Sequence, residues 1–256
     1  MILGIDIGNT SITFGVLKGL KVKKIFNILT ILKPTELETQ LKRLLKRIKK
    51  QYPAIKAVVI CSVVPQALNL IEEETKKKFK VKTIVIGRDV KVPIKNNYHN
   101  PKQVGIDRLV GAYAVKKIYG FPAITIDFGT AITFDVVSYR GEYEGGMIVP
   151  GIRLSAESLF RKTALLPRID KIEAPRRLIG KDTKESILSG IFYGYGAMSR
   201  GLIDLISKQM RGHPKIVVTG GYTHLMRKFI YKKIDKIDRD LVFKGIALIY
   251  KILPAA

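Results

Sequence analysis

Residues 124–137 read ITIDFGTAITFDVV, and residues 3–17 read LGIDIGNTSITFGVL. Each has an apolar, β-branched run, then Asp-x-Gly and a threonine, and each resumes with Ile-Thr-Phe. That pattern predicts a strand, a tight turn and a returning strand. The two aspartates, Asp6 and Asp127, stand 121 positions apart. One such turn is an ordinary hairpin. Two, each followed by the same order of elements, predict a duplicated unit.

The rest of the chain supports the duplication. Strands are predicted over 2–7, 11–18 and 20–29, then a helix from Pro34 to before Pro53, bounded by prolines that cannot continue a helix. A buried strand over 54–64, a helix over 65–78 and a strand over 81–87 follow. Residues 88–105 hold two prolines and three asparagines without a sustained period, a loop of functional length, and helical spacing returns over 106–118. The second half gives strands over 122–128, 131–138 and 142–149, a break at Pro150-Gly151, a helix over 152–162 and an irregular stretch over 163–182. A long helix over 184–211, a strand over 215–221 and a closing helix over 241–253 complete it. Each half thus runs β-β-β-α-β-α. The expected class is α/β, with domains at 1–115 and 116–256 and a cleft between them.

Bulk composition limits the function. The 256 residues are 46% hydrophobic, normal for a soluble globular protein, and no apolar run reaches the ~18 residues of a membrane span. The chain opens directly on a strand, Cys61 is its single cysteine, and its three histidines, His99, His213 and His224, lack metal-ligand spacing. A cytoplasmic protein without disulfides, structural zinc or membrane partner is expected. The net charge of +25 invites polyanions. Yet in LKRLLKRIKK, residues 41–50, the basic residues alternate with Leu and Ile at helical spacing, and KKKFKVK, residues 76–82, closes a helix, where cations are favoured. With no helix-turn-helix or zinc-finger pattern, no specific nucleic-acid partner is expected.

The paired turns point to nucleotide phosphates. A glycine turn lets a phosphate approach backbone N–H groups, and an adjacent Asp can face the phosphate-bound cation. Further segments occur in a fixed order: DIGNTSITFG (6–15), NPKQVGIDRLVGA (100–112), IDFGTAITFD (126–135), GGMIVPG (145–151), IGKDTKESILSG (179–190) and TGG (219–221). The turns with TGG resemble the phosphate and adenosine motifs of the acetate kinase/hexokinase/Hsp70/actin superfamily. The full set resembles type III pantothenate kinases over essentially the whole chain.

That resemblance implies two tandem ribonuclease-H-like, actin-like ATPase domains. It implies ATP-dependent phosphorylation of pantothenate, the first step toward coenzyme A, in a homodimer that uses Mg2+ and a monovalent cation, K+ or NH4+. Asp107 matches the family's proton acceptor; from the residues alone it could equally be a helix N-cap. Tyr98, Gly105, Ile106, Asp107, Arg108 and Thr183 match pantothenate contacts, with Arg108 suited to fork the carboxylate. The family favours Asn where this chain has Asp182, a carboxylate able to repel the substrate's own. Asp6, Ile7, Gly8, Asn9, Thr10, Ser11, Ile12 and Thr13 match the first ATP loop, with Asp6 facing magnesium through water. Thr130, Gly220 and Gly221 match further ATP contacts, and Asp127 the monovalent-cation ligand. The alternatives are another small-molecule kinase of the superfamily and a non-enzymatic transcription accessory factor.

Overall fold

A computed structural model describes residues 1–30 and 33–254. The chain order is β1 (Ile2–Ile7), β2 (Ser11–Lys18), β3 (Lys21–Leu29), α1 (Pro34–Gln51), β4 (Ala57–Ser62), α2 (Pro65–Phe79), β5 (Lys82–Val85) and α3 (Ile106–Ile118). Then follow β6 (Ala123–Phe128), β7 (Ala131–Val137), β8 (Tyr143–Pro150), α4 (Ile152–Lys162), α5 (Thr183–Gln209), β9 (Lys215–Thr219), α6 (Thr223–Ile230), β10 (Lys236–Ile237) and α7 (Leu241–Lys251). Among the described residues, no helix is long and apolar enough to cross a membrane.

The chain forms two α/β units. The first comprises Met1–Ile94, His99–Ala114 and the chain from Asp240 on; the second comprises Lys95–Tyr98 and Val115–Arg239. Each is built on a five-stranded mixed sheet, ordered β3-β2-β1-β4-β5 in the first and β10-β9-β6-β7-β8 in the second. In both sheets the first strand pairs antiparallel with the next and parallel with a later one, so β1 sits between β2 and β4 as β6 sits between β7 and β9. The duplication read from the turns is therefore a duplication of topology.

In the first unit the core combines alternate residues of β1 and β2, Ile5, Ile7, Ile12 and Phe14, with Leu37, Leu41, Leu45 and Ile48 of α1. The spacing of the latter four follows one helix face. In the second unit Ile124, Ile126, Phe128, Ile132 and Phe134 pack with Phe192 of α5 and with Met226 and Ile230 of α6.

Glycines set the closest approaches. Gly4 and Gly15 pair across β1 and β2, and a Cβ on Gly15 would lie 2.6 Å from the Phe243 ring of α7. A Cβ on Gly245 would lie 2.5 Å from the Val110 carbonyl, so α7 also rests directly against α3. The last helix, α7, packs on β1, β2 and β4 of the first unit. Its apolar face, with Leu241, Phe243, Ile246 and Ile249 buried, matches the bare glycine strip of that sheet. The structure also adds α6 and β10, which were not expected because eight and two residues are too short to set up a period.

Candidate functional site

In the first turn the last hairpin pair is Ile7 with Ile12. The Gly8 N–H donates to the Ser11 carbonyl at 3.0 Å, and the Thr30 hydroxyl to the Gly8 carbonyl at 2.7 Å. The Thr30 N–H donates to the Thr10 carbonyl at 3.0 Å, so residue 30 fastens the turn from the end of β3. Ile7 and Ile12 are buried in the core, so only their backbones can serve a ligand; Asn9 is exposed, and Asp6, Thr10, Ser11 and Thr13 are half-buried.

Asp6 lies in register with Cys61 on β4. Cys61 is fully buried, and burial first, then the nearby charges of Asp6 and Asp107, push its thiol pKa well up. Asp6 and Asp107, separated by 100 residues of sequence, thus both lie near Cys61. The start of α3 sits where β4 and β5 end. A Cβ on Gly105 would be 3.7 Å from Val63, just past β4, and one on Gly87, just past β5, 3.2 Å from Ile106. The carboxyl ends of parallel strands are where open α/β sheets bind ligands.

Asp107 stands in the first turn of α3 and is not its cap. The Gly105 carbonyl accepts from the Arg108 and Leu109 N–H groups at 3.1 and 3.3 Å. Asp107 Oδ1 accepts from the Arg108 N–H at 2.8 Å and lies 2.6 Å from where a Gly105 Cβ would be. A glycine at 105 is what allows the carboxylate to fold back over the helix start. Burial raises the Asp107 pKa above the ordinary aspartate range, against the lowering effect of the Arg108 N–H and charge. A carboxyl so shifted is a better proton acceptor when ionised than a solvated one.

The second turn is one residue tighter. Asp127 pairs across the hairpin with Thr133, as Asp6 does with Thr13, but the Gly129 N–H reaches Ala131 at 3.1 Å. The Thr219-Gly220-Gly221 segment packs directly on this turn. Asp127 is in register with Thr219, and a Cβ on Gly220 would lie 2.2 Å from Asp127 Oδ1 and 2.6 Å from the Phe128 backbone. The Tyr222 N–H donates to the Phe128 carbonyl at 3.0 Å. On the other side the Gly151 N–H donates to the Thr130 carbonyl at 3.0 Å, and a Cβ on Gly151 would meet that oxygen at 2.1 Å. Gly151, which the sequence marked as a break and as the end of GGMIVPG, is therefore part of the turn.

A buried network behind the turn was also missed. Asp135, 4% exposed, accepts from Tyr143 at 2.8 Å and from Thr133, the cross-strand partner of Asp127, at 3.0 Å. Its sequence signals were a carboxylate inside an apolar strand, ITFDVV, and its place at the end of IDFGTAITFD.

Tyr98 lies over Gly145, where a Cβ would be 3.2 Å from its ring; Gly145 has a φ of +114° and sits at the register shift of the β7–β8 ladder. Thr183 is exposed at the first position of α5 and Gly221 is exposed beyond β9. Asp182 has a structural role. Its Oδ1 accepts from the Glu185 N–H at 2.8 Å, while Glu185 accepts from the Lys181 N–H at 3.0 Å, reciprocal bonding of the capping-box kind. Asn and Asp cap helices about equally well, which accounts for Asp at this position.

Among the described residues, no group of three or more His, Cys, Asp or Glu is placed to hold a metal ion. A magnesium ion carried on a nucleotide needs only one or two carboxylates beside the phosphates. The glycine turns at Asp6 and Asp127 each supply one such carboxylate.

Two repeated units of this topology, each with an Asp-x-Gly hairpin at the carboxyl end of its central strand, define the actin-like ATPase and sugar-kinase class. A profile of type III pantothenate kinases matches residues 2–205. The chain is 44% identical over 255 residues to a type III pantothenate kinase of Persephonella marina, covering 98% of both chains. It is 39% identical over 253 residues to one of Syntrophus aciditrophicus, covering 98% of this chain and 99% of the relative. The chain belongs to the type III pantothenate kinase family. Among solved structures, a candidate Baf family transcriptional activator from Campylobacter jejuni aligns with a TM-score of 0.60 at 21% identity, covering 98% of each chain. A ROK family glucokinase from Streptomyces griseus aligns with a TM-score of 0.50 at 12% identity over 98% of this chain and 99% of its own. Both likenesses concern the fold.

Proposed function

We propose that the protein phosphorylates pantothenate to 4'-phosphopantothenate with ATP, the first step of coenzyme A biosynthesis, in the cytoplasm and as a homodimer. The observation that carries this reading is the convergence of Asp6 and Asp107 beside Cys61 at the carboxyl ends of β1 and β4, with the Asp107 pKa raised by burial.

Asp107 takes the proton of the attacking primary alcohol. Phosphoryl transfer passes through a loose transition state, so the orientation of this carboxylate matters more than its base strength. Arg108 pairs with the pantothenate carboxylate, and Tyr98, Gly105, Ile106 and Thr183 complete the acceptor site. The backbone of Asp6–Thr13, with the side chains of Asn9 and Thr10, holds ATP phosphates, and Asp6 holds Mg2+ through water. Thr130, Gly220 and Gly221 contact ATP, and Asp127 holds K+ or NH4+. Bound Mg2+ neutralises charge on the phosphates. ATP use and a kinase reaction follow from the family.

The test is an ADP-release assay with a panel of alcohols, run with and without K+. Turnover with pantothenate, strengthened by K+ and absent with sugars, is expected. Turnover with a sugar and none with pantothenate would assign the acceptor site to another kinase reaction. The Baf likeness prompts a transcription-related alternative, but Asp6, Asp107, Asp127 and Thr130 together serve no purpose in a DNA-binding module.

A further inference from the structure

A cavity of 690 Å³ opens in the first unit at the amino ends of the parallel strands β1, β4 and β5, the end of the sheet opposite to Asp6 and Asp107. Its floor is apolar: Leu17, Ile84 and Ala247 are buried there beneath the last turns of α7. Its volume falls within the range of small-molecule sites, ~300–1,000 Å³.

The charge around it is one-sided. Lys18 ends β2, Lys56 precedes β4, Lys82 begins β5 and Lys251 ends α7, and among the described residues no carboxylate side chain lines the cavity. None of the four forms an ion pair among the described residues. They differ from the lysines of α1 and α2, several of which pair with Glu38, Glu72, Glu73 or Glu74. Four cations drawn from four separate elements onto one apolar cavity are not the solvated face of a helix. Lysine stems extend an apolar wall while the ammonium groups stay at its rim.

We propose that this cavity binds a single-chain anionic amphiphile, an alkyl body of roughly ten to twelve carbons with a carboxylate at one end, as a free molecule. The chain lies along Leu20, Leu248 and Leu253, the exposed and half-buried apolar residues of the lining, and the carboxylate meets the lysine rim. The site is separate from the phosphoryl-transfer residues and does not depend on their assignment.

Calorimetric titration of the full chain with octanoate, decanoate and dodecanoate below their micelle concentrations tests it. Expected is one ligand per chain, tightening about fourfold per added methylene and weakening with salt. Lys56→Glu/Lys82→Glu, a pair of exposed positions, should weaken dodecanoate at least tenfold while thermal stability and kinase activity stay at their original values. Dodecyltrimethylammonium should not bind. The proposal is overturned by absence of saturable binding, by equal binding of the cationic amphiphile, or by no effect of charge reversal. Cosedimentation with phosphatidylglycerol vesicles in place of dodecanoate binding would also overturn it, since the lysines would then serve a membrane surface.

Discussion

Replacing Gly220 by Ala probes how the second turn is built. Gly220 has a φ of +95°, and its added Cβ would sit 2.2 Å from Asp127 Oδ1 and 2.6 Å from both the N and C atoms of Phe128. An L side chain in the left-handed region costs ~1–2 kcal/mol. The carboxylate can rotate away, but the Phe128 backbone cannot, because it is a ladder residue of β6 and its carbonyl accepts from the Tyr222 N–H. Straining that bond costs about 1 kcal/mol more. The sum is ~2–3 kcal/mol, which for a chain of this size lowers the melting temperature by roughly 4–12 °C. The adjacent Gly221→Ala is the control, since nothing lies within 4 Å of its Cβ and its φ is not positive. Calorimetric melting of both variants reads the difference, and turnover at saturating pantothenate should fall about 100-fold in Gly220→Ala as Asp127 is displaced. Equal melting temperatures for the two variants, or full activity in Gly220→Ala, would refute the packing of this segment on the Asp127 turn.

Asp107→Asn should lower kcat by ~10²–10⁴ without lowering the melting temperature at pH 7. Burial raises the folded pKa, so the unfolded chain loses its proton first, stability falls as pH rises between the two values, and the amide removes that cost. The acid limb of kcat/KM in the parent should lie above the ordinary aspartate range for the same reason. Glu72, hydrogen-bonded by Arg88 and then by Lys76, has its pKa lowered to about 2. It stabilises the fold above the ordinary carboxylate value, and that contribution is lost as pH falls toward 2. Acid unfolding followed by circular dichroism should show Glu72→Gln destabilised by ~1–3 kcal/mol near neutrality, with the gap closing in that window. Asp127→Ala should reduce activity and its dependence on K+ together; separate K+ and Mg2+ titrations check this, and an unchanged K+ response would remove Asp127 from the cation site. Duplex DNA should bind without sequence preference and be released between about 50 and 200 mM salt, as a competition gel shift would show.

The sequence by itself determined most of the elements and their order. Alternation in β1, β2, β6 and β7, the prolines opening α1 and α2, and the apolar face of α1 are local consequences of side-chain period and backbone restriction, and they need no partner to be read. Both Asp-x-Gly turns were legible for the same reason. What the tertiary structure decided were relations between residues distant in the chain. Asp6 and Asp107 both come near Cys61 because β4 pairs parallel with β1 and α3 starts where those strands end. Gly220 meets Asp127 because β9 pairs with β6 in one register. The last helix joins the first sheet because Gly4 and Gly15 leave a bare strip that admits Phe243, a fit between three surfaces that no single segment encodes. The cap role of Asp182 and the burial that raises the Asp107 pKa belong with these, since hydrogen-bond geometry and desolvation exist only once the neighbours are in place.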